Sequence, residues 1–330
     1  MKRLRDDGCV RSADAWLSPL GGGVSSEIYL VHDGEERFVV KRALARLKVE
    51  AEWYADVARN RTEQKCLACV ATILPGVVPA VRFARPDAGY FAMEYFGDDC
   101  ANWKQLLLDG TCDPAHARTA GCVLGEIHRQ TEGRPELRAQ FDTGANFHQL
   151  RIAPYLLTTG ERHPALRDAF IREAQRLMET RECLVHGDFS PKNILIKRQR
   201  LIVLDCEVAW YGDPSFDVAF LLNHFFLKGL YHAPRRPGLE EMILAFWQSY
   251  CARRPASRAI MERRVVQLLP LLMLARVDGK SPVEYLEAGR KEWVRRFVTH
   301  HLGGAGMDLE TITSHWFDQA GSLSPVEAGT

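Results

Sequence analysis

The chain has 330 residues, 46% of them apolar and 26% charged, with 43 Lys and Arg against 42 Asp and Glu. That composition excludes a disordered polar chain, and the length suits two lobes, each burying its own core, better than one minimal domain. The arginines fall in scattered doublets (Arg235 with Arg236, Arg253 with Arg254, Arg263 with Arg264, Arg295 with Arg296), so no basic stripe forms and neither nucleic acid nor an anionic membrane is the expected partner.

The first residues, MKRLRDD, are charged and precede no apolar signal core. Residues 16–41 read as strand, glycine turn, strand and strand. Trp16 opens them, the run Gly21, Gly22, Gly23 makes the turn, and the apolar stretches 28–31 and 38–40 are joined by a hairpin turn carrying Asp33 and Gly34. From Leu44 to about Ile73 the apolar period is helical, and Pro75, Gly76 and Pro79 end it. Cys66 and Cys69 form a lone CxxC inside it, read as buried thiols because no second pair and no nearby histidines accompany them. Residues 81–83 and 90–93 complete a small, mostly antiparallel sheet. The polar joint Gly97, Asp98, Asp99 then divides the chain into residues 1–96 and 97–330.

Past the joint the period is mainly helical. Leu124 and Ile127 lie on one helix, and Leu166 to Met178 mark another, opened by Pro164. Short strands at 183–185 and 194–204, the latter folded at 197–200, interrupt the helices, and apolar helix returns over 218–227 and 265–275. The last stretch is broken by Gln267 and Pro270 and is too short to span a bilayer, so a cytoplasmic protein is expected. Ser281, Pro282 and Glu284 make a capping box with proline at the first helical position, which predicts a helix starting there. Beyond Gly303 the apolar anchors are few apart from Trp316 and Phe317, and a loose end is expected.

The chemistry concentrates in LVHGDFSPKNILI, residues 184–196, and LIVLDCEVAWYGDPSFDVAF, residues 201–220. Phosphoryl transfer asks little covalent help of a protein. It depends on aligning a hydroxyl with phosphorus and on neutralising a triphosphate with divalent metal. A strand ending in His186, Gly187 and Asp188 sets one carboxylate at a loop where it can accept the hydroxyl proton. Asn193, five residues on, offers a neutral oxygen to magnesium, and Asp205 and Glu207 offer carboxylates across a strand pair. The competing reading is that these side chains only brace a strand-to-helix turn. Five polar residues at this spacing, set between apolar strands, favour the catalytic one.

With HGDxxxxN followed by a strand and the acidic pair of LDCE, the sequence resembles the aminoglycoside phosphotransferase and choline kinase superfamily, and within it the methylthioribose kinase-like branch. The resemblance implies an α+β, bilobal protein-kinase-like fold, with a small antiparallel-sheet N-terminal lobe that binds nucleotide and a larger, mainly helical C-terminal lobe for catalysis and substrate. It implies ATP- and Mg2+-dependent transfer of the γ-phosphate to a hydroxyl of a small sugar, polyol or amino alcohol. Asp188 would be the base, Asn193 and Asp205 the magnesium ligands, Glu207 the second acid of the branch, and Asp217 a buried brace of the catalytic loop. In the N-terminal lobe, Gly22, Gly23 and Ser25 would lie beside the phosphates and Lys41 would grip them. A carboxylate of the following helix would hold that lysine, with Glu63 preferred to Glu50 and Glu52, which follow Lys41 too closely to lie within the helix. Met93, Glu94, Tyr95 and Phe96 would meet the adenine at the joint, Glu94 and Phe96 through their backbone.

Lys192 stands four residues after Asp188, either to neutralise the migrating phosphoryl group or to sit solvated, while His128 reads as core. Trp210 lines the acceptor site or packs in the interior. Arg151, Tyr155, Arg276, Asp278 and Lys280 form either an acceptor pocket or helix-tying ion pairs. An aminoglycoside acceptor would require an acidic cleft, for which the near-neutral charge gives no support, and the cationic side chains among the pocket candidates favour a neutral or anionic acceptor. A catalytically silent nucleotide-binding module is opposed by the intact set Lys41, Asp188, Asn193 and Asp205. A protein kinase is opposed by glycine in the catalytic triplet and the lack of an APE segment.

Overall fold

Five strands pair antiparallel in the order β1-β2-β3-β5-β4: β1 Trp16–Pro19, β2 Ser26–Asp33, β3 Glu36–Ala43, β4 Val81–Arg85 and β5 Tyr90–Glu94. The computed structural model describes residues 1–21, 25–48, 53–235, 238–302 and 307–323, so Gly22, Gly23, Glu50 and Glu52 lie outside the described residues. Along β3 successive side chains alternate between faces. Phe38 and Val40 join a small cluster with Leu4, Val31 and Ala92, whereas Val39 turns with Phe91 and Met93 to the main core. Lys41 shares the parity of Val39 and is therefore carried to the inner face, where it is 2% exposed.

That face is covered by the helix Arg59–Ile73. The helix starts much later than the apolar period predicts. Residues 45–48 and 53–55 instead pair with one another through a bridge between Arg46 and Tyr54, with Leu47 N–H donating to Trp53 O (3.0 Å) and Ala55 N–H to Ala45 O (3.0 Å). Leu47, Trp53 and Ala55 are buried in the main core by this turn-back, so their spacing mimicked a helical stripe without a helix.

The rest is largely helical. Its centre is the helix Ser215–His232, in which every residue from Ser215 to Leu230 is buried. The helices Leu239–Arg253 and Arg258–Asp278 pack on it. Leu239–Arg253 also lies close against Pro114–Thr131, because Gly121 has no Cβ where one would meet the Phe246 carbonyl at 2.4 Å. Short strands run among these helices: β6 Ala101–Asn102, β7 Cys183–Val185, β8 Ile194–Lys197, β9 Arg200–Val203 and β10 Trp210–Gly212, with β10 paired to β7 and β8 lying between β6 and β9.

No helix begins at Ser281; the next one is Ala288–His301. The groups of the expected capping box have stronger partners. The Arg276 guanidinium donates to the Ser281 hydroxyl and carbonyl, Val283 N–H donates to Arg276 O (2.7 Å), and Glu284 pairs with Lys104. Trp316 and Phe317 anchor a further helix, Leu309–Gly321, where a loose tail was expected; residues 324–330 lie outside the described residues. Cys66 is buried within its helix, and none of the cysteines is in a disulfide. Among the described residues no helix is long and apolar enough to cross a membrane.

Candidate active site

The loop after β7 takes its shape from one buried carboxylate. Asp217, near the start of the helix Ser215–His232, accepts the N–H groups of His186 (2.7 Å) and Gly187 (2.9 Å). Its Oδ2 also faces His128 Nε2 at 3.3 Å, while His128 Nδ1 lies 3.0 Å from the Tyr250 hydroxyl. Burial holds His128 below its ordinary pKa, so the neutral ring donates through Nε2 and accepts at Nδ1. Gly187 sits at φ +76°, and a Cβ there would meet the Val208 carbonyl at 2.7 Å, so only glycine fits this corner. Asp217→Ala would strand two buried N–H groups. It is expected to lower stability by about 2–5 kcal/mol in urea unfolding, and a loss under about 1 kcal/mol would remove the bracing role.

So held, Asp188 is 4% exposed. Its Oδ2 receives the Arg151 guanidinium at 2.9 Å and the Lys192 ammonium at 3.0 Å, whereas its Oδ1 is buried with no hydrogen-bond partner among the described residues. Burial alone would raise the Asp188 pKa, but Arg151 and Lys192 outweigh it and hold the carboxyl below its ordinary value. Asn193 is tied to the same loop, its Nδ2 donating to Asp188 O at 3.0 Å.

Opposite lies a second charged cluster. Lys41 Nζ contacts Glu63 Oε1 at 2.8 Å and also Asp205 Oδ1. Burial opposes its charge, but Asp205 and Glu63 raise Lys41 above its ordinary pKa. Carboxylate oxygens of Glu63, Asp205 and Glu207 lie within 4.8 Å of one another. Burial pushes Glu63 up to about 8 against the pull of Lys41, with Asp205 and Glu207 adding to the rise, and its Oε2 has no partner among the described residues. For Asp205, burial is outweighed by Lys41 and Lys192, which hold it at about 2. Asp205 adopts φ +64°, a left-handed conformation that few residues other than glycine accept and that asparagine and aspartate tolerate better than most. Crowded, buried, partly unpartnered carboxylates are a hard-oxygen donor set suited to Mg2+. Glu207 is buried too, with Oε2 at 3.1 Å from Arg59 Nε and accepting from the Ser26 hydroxyl at 3.5 Å.

The remaining expected residues divide. Gly22 and Gly23 lie outside the described residues. Ser25 is buried, and its carbonyl accepts from Arg59. At the joint, the exposed Glu94 accepts Ala80 N–H with its side chain (3.3 Å), and the Phe96 carbonyl accepts Lys197 Nζ (2.6 Å). Arg151 reaches the catalytic loop itself, donating to Gly187 O as well as to Asp188. Tyr155 is buried beside it, with its hydroxyl 3.3 Å from the Arg276 guanidinium. Burial works against ionisation of that phenol, yet Arg276 and Arg151 together hold its pKa below the ordinary value. Lys280 is exposed and attaches through its backbone, its N–H donating to Pro154 O at 3.1 Å, while Asp278 pairs with Arg295 and His163. Trp210 does not line the site. It is 1% exposed, stacked on Phe147 with 4.3 Å between centroids and covered by Arg181.

Sequence reasoning missed Arg59, which binds Glu207 and the carbonyls of Ser25 and Leu44 and so joins the acidic pair to the strand edge. A signal was present: Arg59 precedes Glu63 by four residues, one turn along the same helix face.

A profile described as the phosphotransferase enzyme family matches residues 16–261. The methylthioribose kinase of Pectobacterium atrosepticum is 26% identical over 273 residues, 71% of this chain and 68% of that protein. The methylthioribose kinase of Bacillus cereus is 24% identical over 246 residues, 67% of this chain and 62% of that one, so a sizeable part of each relative lies outside the match. Among solved structures, an amicoumacin kinase in complex with AMP-PNP, Ca2+ and Ami superposes with a TM-score of 0.56 at 12% identity, covering 95% of this chain and 96% of that one. The likeness is one of fold, and the fold is the two-lobed kinase-like one expected from the sequence.

Proposed function

The chain belongs to the phosphotransferase enzyme family, and on that premise we propose that it is an ATP- and Mg2+-dependent kinase moving the γ-phosphate to a hydroxyl of a small molecule. The observation that carries this reading is the free, buried Oδ1 of Asp188, the one oxygen of that carboxylate left open while Arg151 and Lys192 fix the other. In the reaction the acceptor oxygen bonds the γ-phosphorus, its proton passes to Asp188 Oδ1, and the bond from that phosphorus to the bridging oxygen breaks. A base with a depressed pKa suffices, because the proton leaves late in a loose transition state and the carboxylate serves mainly to orient the hydroxyl. Lys192, about half exposed at the mouth of the loop, sets positive charge beside the transferred group.

Lys41, kept extended by Glu63, grips the nucleotide phosphates, and Asn193, Asp205 and Glu207 would hold Mg2+ with Glu63 close by. The ion, when bound, neutralises the triphosphate and the charge that builds on it. The chain around these groups excludes water: Asp188, Lys41, Glu63 and Glu207 are each at most 5% exposed.

A polycationic aminoglycoside is the less favoured acceptor, since Arg151, Lys192 and Arg276 gather on the Asp188 and Tyr155 side of the site. A sugar, polyol or related metabolite, neutral or anionic, fits that wall. The test is a screen of sugars, amino alcohols, sugar acids and aminoglycosides for acceptor-dependent ADP release with Mg2+ present. Turnover confined to kanamycin-like or choline-like acceptors would overturn the acceptor class. Absence of Mg·ATP binding would overturn the kinase reading itself.

A further inference from the structure

Beyond Tyr155 the wall carries cations that form no ion pair with a carboxylate among the described residues. Phe220, His224 and Lys228 follow one another at steps of four on the helix Ser215–His232 and so share one stripe. Phe220 meets Tyr155 with 5.6 Å between ring centroids and lies 5.7 Å from the Arg151 guanidinium, which ties the start of the stripe to the partner of Asp188. His224 packs on Phe220, and its Nδ1 has no hydrogen-bond partner among the described residues. One turn further, Lys228 is 1% exposed, and its ammonium lies 5.0 Å over the Tyr285 ring. Among the described residues no carboxylate forms an ion pair with it. The Tyr285 hydroxyl and Arg276 Nε are also buried without partners among the described residues. The nearby carboxylate, Glu284, is exposed and taken by Lys104.

A core that needed only packing would place methionine or leucine at Lys228. Burying an ammonium without a counter-ion is strongly unfavourable, and burial, with Lys104 and Arg276 adding to it, presses Lys228 down to about 7. Burial, with Lys228 and Arg276 adding to it, holds His224 well below its ordinary pKa, so its ring can offer either nitrogen as a hydrogen-bonding group. Such a cluster is stable when an anion enters it.

We propose that Lys228 and Arg276, with His224 and Tyr285 as neutral hydrogen-bonding groups, bind an anionic group, phosphate or carboxylate, on the acceptor whose hydroxyl faces Asp188. The inference rests on the phosphotransfer reading above. Tyr155, touching both Arg151 and Arg276, joins the two ends, so the acceptor carries its reactive hydroxyl at one end and its anion at the other.

The test uses the full chain and Lys228→Met, which keeps the stem and removes only an unpaired charge, so folding is not at risk. Sulfate serves as a nucleotide-free probe in thermal unfolding. Glycerol against D-glycerate, and D-ribose against D-ribose 5-phosphate, serve as matched acceptors in ADP release, and separate carboxylate from phosphate recognition. We expect millimolar sulfate to raise the Tm of the wild type and not of the variant. In at least one pair the charged member should have a kcat/KM at least tenfold above the neutral one, and Lys228→Met should erase that advantage through KM while Mg·ATP affinity changes less than twofold. Equal stabilisation of both proteins by sulfate, or an anion preference that survives Lys228→Met, would overturn the proposal. A failure of Mg·ATP binding strikes the kinase reading instead, and the sulfate arm still decides the anion site.

Discussion

Asp188→Asn is expected to lower kcat by roughly 10²–10⁴ while Mg·ATP still binds, the usual worth of a general base. Arg151 and Lys192 both donate to the side chain at this position, so the carboxamide must turn its oxygen to them. Its NH2 then occupies the place of Oδ1 and faces the acceptor as a donor, unable to take the hydroxyl proton. The loop itself does not depend on the side chain, since Asp217 holds it through the backbone of His186 and Gly187. Circular dichroism and nucleotide titration should therefore match the wild type, with the loss confined to turnover. Wild-type turnover in this variant would sink the assignment of Asp188.

Asp205→Asn is expected to abolish activity, by at least about 10³-fold, because an amide binds Mg2+ more weakly than a carboxylate and loses the charge that Lys41 faces. Asp205 reaches solvent with about a quarter of its side chain, whereas Glu207 is enclosed against Arg59. Glu207→Gln is expected to raise the Mg2+ concentration needed for half-maximal rate and to cost stability as well, about 3–5 kcal/mol if Arg59 keeps its charge with no other carboxylate in reach. A magnesium titration separates the two: excess ion should rescue the Glu207 variant and not the Asp205 one. Equal and complete loss in both would refute the ranking.

Much of the site was legible because its chemistry sits in two short stretches. His186 to Asn193 and Asp205 to Glu207 are spaced by local geometry, a strand end, one turn and one hairpin, and local geometry survives translation from sequence to structure. Lys41 and Glu63 were legible for a related reason: strand parity fixes one, and depth in a helix selects the other from among Glu50, Glu52 and Glu63. Trp210 was not. An aromatic residue after an acidic pair looks the same in sequence whether it faces ligand or core, and only its pairing to β7 and its stack on Phe147 decide for the core. The helix expected from Leu44 failed similarly, because burial of Leu47, Trp53 and Ala55 depends on a turn-back that brings Arg46 to Tyr54, and spacing alone cannot distinguish that from a helical stripe.

The sequence by itself determined the strands of the sheet, the glycine corner before Asp188 and the order of the groups able to take a proton and hold an ion, since each depends on side-chain periodicity or on neighbours within a few residues. Only the tertiary structure decided which charges meet. Arg151 on Gly187 in the Asp188 loop and Arg59 on Glu207 join segments between 36 and 148 residues apart, and Lys228, without an ion pair among the described residues, lies where the segment carrying Tyr285 closes over its helix. The energy of a buried charge is set by those long-range neighbours and by the water they exclude, neither of which is written in local spacing.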